Sequence, residues 1–274
     1  MSDVDLSGVR RKLARAKSKL DALKDEVAVY LDPSPFEIAV ETEGNRQAVV
    51  CHIHREADEA WADEMAEIAY QGRSALDLLI PQLVIDSGAT PKRGTQFPIF
   101  LDRDEYVQKG RNGASNRDRM LKAVAKRHRS VIEDAQPYQR GRGAYRDPLA
   151  VLSTISNRDK HNDVYVCVAA IGNPTIKLIR PSLPPPDREL TIRFGEKFVP
   201  YAMTDGQEFF AVEWTPDPSA PPTPMEKNIY LETVEMQTTL GFSSDGRTFT
   251  LNDLDRAVLA ASKVVDRCVA RFKP

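Results

Sequence analysis

The chain has little of what marks secreted or membrane-spanning proteins. It contains 3 cysteines among 274 residues, an odd number in apolar settings, which is typical of reduced core thiols. No stretch approaches the ~18 apolar residues that would span a bilayer, and the N-terminal region is charged from Asp3 onward. These absences predict a cytoplasmic protein with no membrane partner.

An excess of charge of one sign is also absent. Lys and Arg total 38, Asp and Glu total 40, and the formal net charge is −2. Such a balance creates no overall field toward nucleic acid or an anionic membrane. Any nucleic-acid site must therefore be a local basic patch, and we predict no cofactor.

Helical periodicity is the strongest pattern that is present. Apolar residues recur alternately three and four positions apart in Leu6–Val27, Trp61–Leu79 and Leu251–Phe272, the spacing of a helix seam. The third seam opens with Thr250 and Asp253, which have the spacing of a capping box. Such seams pack together, which predicts a helical bundle closed by the C-terminal helix.

The first seam allows an alternative. Its opposite face is strongly basic, and its length would support a coiled coil between two copies of the chain. A homodimer is therefore an alternative to packing within one chain, which we favour because short isolated seams are seldom stable.

A β-hairpin is predicted between the first two helices, within residues 36–56. Gly44 and Asn45 form a two-residue turn. This turn fixes the strand pairing, and the expected pairs are Phe36 with Ile53, Ile38 with Cys51, and Val40 with Val49. These residues should share one apolar face.

The other face of the hairpin carries His52, His54 and Glu56 in strict alternation, with Glu37 across from His52. Two histidines and a carboxylate could supply three ligands to a divalent metal. We favour an exposed polar face, because three residues on one strand diverge unless other elements complete the site.

A basic helix is predicted from Asn116 to about Ala135. Its cations and those of the next segment interleave with Tyr138 and Tyr145, as an RNA-contacting surface requires. The candidate RNA-binding residues are Lys122, Lys126, Arg127, Arg129, Arg140 and Arg142. A solvated helix face has much the same composition, so both interpretations stay open.

A dense polar cluster follows another helix, which is predicted to start at Asp147 or Pro148. Asn157 and His161 are four residues apart and share a helix face, as do Arg73 and Asp77 on the second seam. If the two helices pack, these four side chains could form a network, with Arg158 and Lys160 on another face. The network could fix helix register, or His161 could act as an acid–base group.

Several short motifs lie between residues 58 and 162. They are Arg73-Ser-Ala-Leu-Asp77, Thr95-Gln-Phe-Pro-Ile-Phe100, Gln136-Pro-Tyr138, Asp147-Pro-Leu149, and Asn157 with Asp159-Lys-His161. As a set they resemble a widespread family of uncharacterised bacterial proteins. This chain departs from the family pattern at Gln71-Gly72, at Leu78, where histidine is expected, and at Asn162, where arginine is common. The resemblance implies no particular activity.

The helical part is also similar to HEPN domains, which occur in RNA-cleaving toxins and defence proteins. Their signature places arginine about four to six residues before histidine, whereas two residues separate Arg158 from His161. The resemblance implies a metal-independent site that orients a ribose hydroxyl and neutralises a phosphate, often across a dimer. The hypothetical catalytic set is His161, Arg158, Lys160, Arg73, Asp77 and Asn157.

The hydrophobic period changes to two after His161. Strands are predicted at 164–171, 175–180, 189–194, 209–214 and 228–236, separated by proline-dense loops at 181–186 and 216–224. This part has no glycine-rich phosphate loop, serine nucleophile elbow or cysteine–histidine zinc pattern. We expect it to shape a surface or contact a protein partner.

The predicted fold is α+β, a helical bundle closed by the C-terminal helix, with a β-hairpin and a β-rich insertion. We expect one unit over 1–274, with a helical part at 1–162, a β-rich part at 163–250 and the returning helix at 251–272. The leading functional hypothesis is an RNA-binding or metal-independent RNA-cleaving module. The alternative is a non-catalytic interaction protein with a structural polar network, and a metal-dependent hydrolase is least favoured.

Overall fold

The structure is a computed structural model that describes residues 4–44, 46–110, 113–158, 165–179, 189–193, 201–202, 204–213, 229–244 and 247–272. The fold is α+β, as predicted, with helices and antiparallel sheets. Contacts divide the chain into two compact units. The first, here the helical unit, comprises Met1–Asp25, Ala60–Val164 and Leu251–Pro274, and the second, the strand unit, comprises Glu26–Glu59 and Tyr165–Thr250.

The helices and one 3₁₀ helix follow the chain in a simple order. Their bounds are α1 Ser7–Leu31, α2 Ala60–Asp86, α3 Arg103–Val107, α4 Asn116–Met120, α5 Lys126–Asp134, the 3₁₀ helix Pro137–Arg146, α6 Pro148–Arg158 and α7 Leu251–Val269. None of the described helices is both long and apolar enough to cross a membrane. The three seams predicted from the sequence lie in α1, α2 and α7.

The core of the helical unit is built where α2, α6 and α7 pack against one another. Seam residues such as Ile68, Leu79, Leu254 and Ala261 are fully buried there. The prediction that the C-terminal helix closes the bundle is therefore confirmed.

A glycine sets how closely α2 and α6 approach. A Cβ atom on Gly72 would lie 3.1 Å from Cδ1 of Leu152, which is tighter than ordinary van der Waals contact. The absence of a side chain at Gly72 thus lets Leu152 of α6 lie directly against α2, and this brings the polar residues of the two helices to one place.

The single helix predicted from Asn116 to about Ala135 is wrong, because the chain turns between α4 and α5. Ala123 adopts φ 64° there. Side chains from elsewhere satisfy the backbone of this turn: Ser87 Oγ accepts from Ala125 N over 2.9 Å, and Arg129 donates to the carbonyls of Val124 and Leu121 over 2.7 and 3.0 Å. These partners stabilise a break where the local sequence alone favours helix.

The strand unit contains two sheets among its described residues. One has the order β1-β2-β6, with β1 Phe36–Glu43, β2 Arg46–Ile53 and β6 Glu208–Glu213. The other has the order β4-β3-β7-β8, with β3 Tyr165–Ile179, β4 Glu189–Arg193, β7 Ile229–Ser244 and β8 Arg247–Thr250, and β5 Tyr201–Ala202 pairs with β3. The two strands predicted within 164–180 are one long strand, β3.

The predicted hairpin register is confirmed. Val40 pairs with Val49, Ile38 with Cys51 and Phe36 with Ile53. Alternation places Val49 and Cys51 on one face, where both are fully buried. The opposite face carries Glu37 and His52, which are register partners.

Candidate functional site

A cavity of about 270 Å³ in the helical unit is lined by three of the residues predicted to form a site. Arg73 and Asp77 reach it from α2, and Asn157 reaches it from α6. Further lining residues are Tyr70, Ser74, Gln96, Phe97, Ile99, Phe100, Met120, Ser153 and Ser156. We refer to this space as the α2–α6 cavity.

Helical spacing explains why these side chains converge. Arg73 and Asp77 are one turn apart on α2, as are Ser153 and Asn157 on α6, so each pair lies on one helix face. The close approach of α2 and α6 at Gly72 sets the two faces beside each other. The faces of α2 and α6 form two walls of the cavity. The third wall is the chain from Gln96 to Phe100, which has no regular secondary structure.

Arg73 and Asp77 form an ion pair that also holds a backbone segment. Arg73 Nε and Nη2 donate to the Asp77 carboxylate over 3.2 and 3.1 Å. The same Nη2 donates to the carbonyl of Phe97 over 2.7 Å, and Phe97 N donates to Asp77 Oδ1 over 2.9 Å. Both backbone polar groups of the buried Phe97 are thereby satisfied, so the two charges are committed to each other and to this segment.

The remaining lining combines neutral polar side chains with the apolar residues Phe97, Ile99, Phe100 and Met120. Asn157 Nδ2 donates to Ser153 Oγ over 3.3 Å, and Ser156 Oγ donates to the Ser153 carbonyl over 3.3 Å. Ser74 and Gln96 make no side-chain hydrogen bond within the described residues. Lys12 Nζ lies 5.3 Å from the ring centroid of Tyr70, a cation–π contact.

The predicted polar network is present only in part. Arg73, Asp77 and Asn157 line one cavity, but the hydrogen bond described for Asn157 goes to Ser153 rather than to α2. Arg158 is the last residue of α6, and its side chain lies outside the described part of the chain. His161 and Lys160 also lie outside the described residues.

The six candidate RNA-binding cations divide into two groups. Arg127, Arg129 and Arg140 make structural contacts: Arg127 pairs with Asp86, Arg129 bonds the carbonyls before α5, and Arg140 lies 3.3 Å from Asp147. The other three, Lys122, Lys126 and Arg142, are exposed, and the Arg140 side chain is 68% exposed despite its ion pair. The exposed group is available to phosphates.

The tyrosines predicted to interleave with these cations differ in their setting. The Tyr138 hydroxyl is buried without a hydrogen-bond partner among the described residues, and its ring lies 5.4 Å from that of Tyr106. Burial raises the pKa of Tyr138. Tyr145 is 40% exposed and has the Arg146 guanidinium 5.3 Å from its ring centroid. Tyr138 therefore packs in the interior, whereas Tyr145 faces solvent.

The polar hairpin face contains two histidine–carboxylate contacts. His52 Nε2 lies 2.8 Å from Glu41, and His54 Nε2 lies 3.7 Å from Glu37. Glu56 is exposed. Across the described ranges, no group of three or more His, Cys, Asp or Glu side chains is placed to hold a metal ion, so His52, His54 and Glu56 do not converge on a common point.

One buried polar cluster was missed by sequence reasoning. His128 is fully buried, and its Nε2 lies 2.6 Å from Oδ2 of Asp86, which also accepts from Arg127. Burial lowers the pKa of His128, although Asp86 acts in the opposite direction. The two residues are 42 positions apart, and the cations around His128 predicted an exposed face.

The C-terminal residues complete this cluster. Arg271 Nη1 donates to the carbonyl of Arg127 and to Ser130 Oγ, each over 2.7 Å. The Phe272 ring meets the His128 ring edge-on at 5.4 Å between centroids. The cluster thus joins the end of α2, α5 and the residues after α7, which is a structural role.

Comparison with known proteins gives no relative from which to transfer a function. No protein-family model, curated protein or solved structure matches the chain. The resemblances to the bacterial family and to HEPN domains therefore stay predictions. The structure itself defines an α+β protein with a polar cavity in its helical unit.

Proposed function

We propose that the helical unit is an RNA-binding module and that the α2–α6 cavity is its site. One observation carries the proposal: a polar cavity of about 270 Å³ receives Arg73, Asp77 and Asn157 together. Ligand sites usually have volumes of about 300–1,000 Å³, so this cavity suits part of a nucleotide. The exposed cations Lys122, Lys126 and Arg142 would contact phosphates.

In the catalytic form of the proposal, the protein cleaves RNA without a metal ion. His161 would accept the proton of the ribose 2′-hydroxyl while that oxygen attacks the adjacent phosphorus. The bond from phosphorus to the 5′-oxygen would break, and the 5′-oxygen would leave with a proton. An unperturbed histidine pKa near ~6.5 suits this step. Arg158 and Lys160 would neutralise the phosphate charge that develops. Arg73 and Asp77 would act as positioning residues, because their described bonds hold Phe97.

Cleavage and binding of one labelled single-stranded RNA in the presence of EDTA test this proposal. The proteins compared are the wild type, His161→Ala and the control Lys263→Ala, which changes an exposed cation of α7. Loss of cleavage in His161→Ala alone, with an unchanged melting temperature, supports catalysis. Binding without cleavage supports the non-catalytic form, and a wild-type protein that does neither overturns the proposal.

A second candidate is a non-catalytic interaction protein. The observation that favours it is that Arg73 and Asp77 bond each other and the backbone of Phe97. A structural role is therefore sufficient to account for these two predicted site residues. In this version residues 163–250 bind a protein partner and His161 stabilises the fold. It predicts no RNA binding, together with a sharp fall in melting temperature for His161→Ala.

Assembly and location are also proposals. The free, buried thiols of Cys51 and Cys268 support a reducing cytoplasmic setting. A homodimer is the alternative that the length of α1 allows, although its seam residues Val9, Leu20 and Leu23 are buried within one chain. Light scattering of the purified protein across a range of concentrations would distinguish a dimer from a monomer.

A further inference from the structure

We infer that the α2–α6 cavity binds an unpaired nucleobase and not a phosphate. The inference rests on the proposed RNA-binding function and assigns the chemical class of the group that enters the cavity. It depends on which polar groups of the lining are already bonded and which are not.

The charged groups of the lining are committed to each other. The Arg73 guanidinium donates to both Asp77 oxygens and to the Phe97 carbonyl. Asp77 Oδ1 also accepts from Phe97 N. A phosphate in this space would meet a cation that is already neutralised and an adjacent carboxylate that repels it. Among the described lining residues, no second Lys, Arg or His offsets that carboxylate.

The neutral groups of the lining remain available. The Ser74 hydroxyl and the Gln96 amide make no hydrogen bond within the described residues, and Asn157 uses only its Nδ2 on Ser153. Amides and hydroxyls offer both donors and acceptors. The edge of a nucleobase presents the same mixture, so a base can satisfy groups that a phosphate, which only accepts, would leave unpaired.

Three aromatic residues, Tyr70, Phe97 and Phe100, also line the cavity. Tyr70 is 45% exposed, with Lys12 near its ring, and Phe100 lies in the wall formed by residues 96–100. Unstacked bases of single-stranded RNA gain free energy by contact with aromatic rings, and their edges are free to form hydrogen bonds. A flat, uncharged, hydrogen-bonding group therefore fits this lining better than a compact anion.

The inference separates two kinds of contact. The base enters the cavity, and the backbone phosphates stay outside it on exposed cations. Binding of RNA should then weaken as salt rises, because phosphate contacts release counterions. Binding of an uncharged nucleoside should change little with salt, because no phosphate takes part.

Titration calorimetry with uncharged ribonucleosides tests the inference directly. Adenosine, guanosine, cytidine, uridine and inorganic phosphate are each titrated into the full chain at low and high salt. At least one nucleoside should bind with little salt dependence, and phosphate should not compete with that nucleoside. Asn157→Ala should weaken that binding about five- to tenfold, as expected for one lost hydrogen bond, and Lys263→Ala should leave it unchanged.

The outcomes separate this inference from the proposed function. If RNA binds equally well to wild type and Asn157→Ala while no nucleoside binds, the base site is wrong and RNA binding stands. Phosphate binding that displaces a bound nucleoside also overturns the base site. If a nucleoside binds and RNA does not, the base site stands and the proposed function fails. Melting curves of each variant show whether a loss of binding reflects unfolding.

Discussion

The backbone N–H of Phe97 donates to Oδ1 of Asp77 over 2.9 Å. The carbonyl of the same residue accepts from Arg73 over 2.7 Å. One ion pair on α2 thus supplies hydrogen-bond partners for both backbone polar groups of Phe97. This arrangement fixes the chain from Gln96 to Phe100, which forms one wall of the α2–α6 cavity.

Loss of the Asp77 carboxylate should destabilise this wall. Asp77→Ala leaves the N–H of buried Phe97 unpaired, and we expect the free energy of unfolding to fall by about 1–2 kcal/mol. The expected loss is moderate because the Asp77 side chain is 37% exposed and solvent screens part of the interaction. Urea unfolding measures it. The control Asp266→Ala, at an exposed position of α7, should change stability by less than about 0.5 kcal/mol, and equal losses in both variants would contradict the role of Asp77.

Glycine at position 123 should stabilise the protein. Ala123 has φ 64°, a region that costs an alanine about 1–2 kcal/mol and a glycine almost nothing. Because glycine also gains entropy in the unfolded chain, we expect Ala123→Gly to raise the free energy of unfolding by about 0.5–1 kcal/mol. Thermal and urea unfolding test this change. Ala14→Gly, at an exposed position within α1, should instead lower stability by about 1 kcal/mol, and a loss at both positions would contradict the conformation of Ala123.

The stability should depend on pH through His128. Burial holds the pKa of His128 below its ordinary value of 6.5. The unfolded state therefore binds a proton at a higher pH than the folded state, so the free energy of unfolding should fall as the pH drops below about 6.5. Urea unfolding between about pH 5 and pH 8 should show a shallower slope for His128→Gln than for wild type. The control His54→Gln, at an exposed position, should keep the wild-type slope. An unchanged slope in His128→Gln would show that His128 does not cause the pH dependence of stability.

Two thiols should be inert in the folded protein. Burial raises the pKa of Cys51 to about 11 and that of Cys268 to about 12, and both side chains are fully buried. Since the thiolate is the reactive form, iodoacetamide should label neither residue until urea unfolds the chain, as peptide mass spectrometry can measure. An exposed thiol introduced as Ser18→Cys on α1 serves as the positive control. Native labelling of Cys51 or Cys268 at the rate of that control would contradict the burial.

Local patterns were sufficient to predict the hairpin and the helical seams. The register of Val40 with Val49 follows from a two-residue turn and a period of two, and both signals lie within a few residues. Likewise, the seams of α1, α2 and α7 lie within single segments.

Contacts between distant segments could not be predicted in this way. The sequence placed Arg73 and Asp77 on one helix face, but their partners are the backbone N–H and carbonyl of Phe97. Backbone groups are common to all residues and therefore do not identify a partner. The turn at Ala123 depends in part on Ser87, which lies 38 residues before Ala125, whereas the local residues favour helix. In both cases hydrogen bonds to other parts of the chain determine the structure, and local helix propensity does not.

The carboxylate of Asp86 accepts from two neighbouring residues, Arg127 and His128, and Arg127 is bonded in turn to Arg271. If Arg127 or His128 is replaced, the Asp86 carboxylate stays buried and keeps its other partner. The energetic effects of substitutions at these positions should therefore not add, as they would at independent sites. We therefore expect the segment that follows α7 to attach and detach cooperatively.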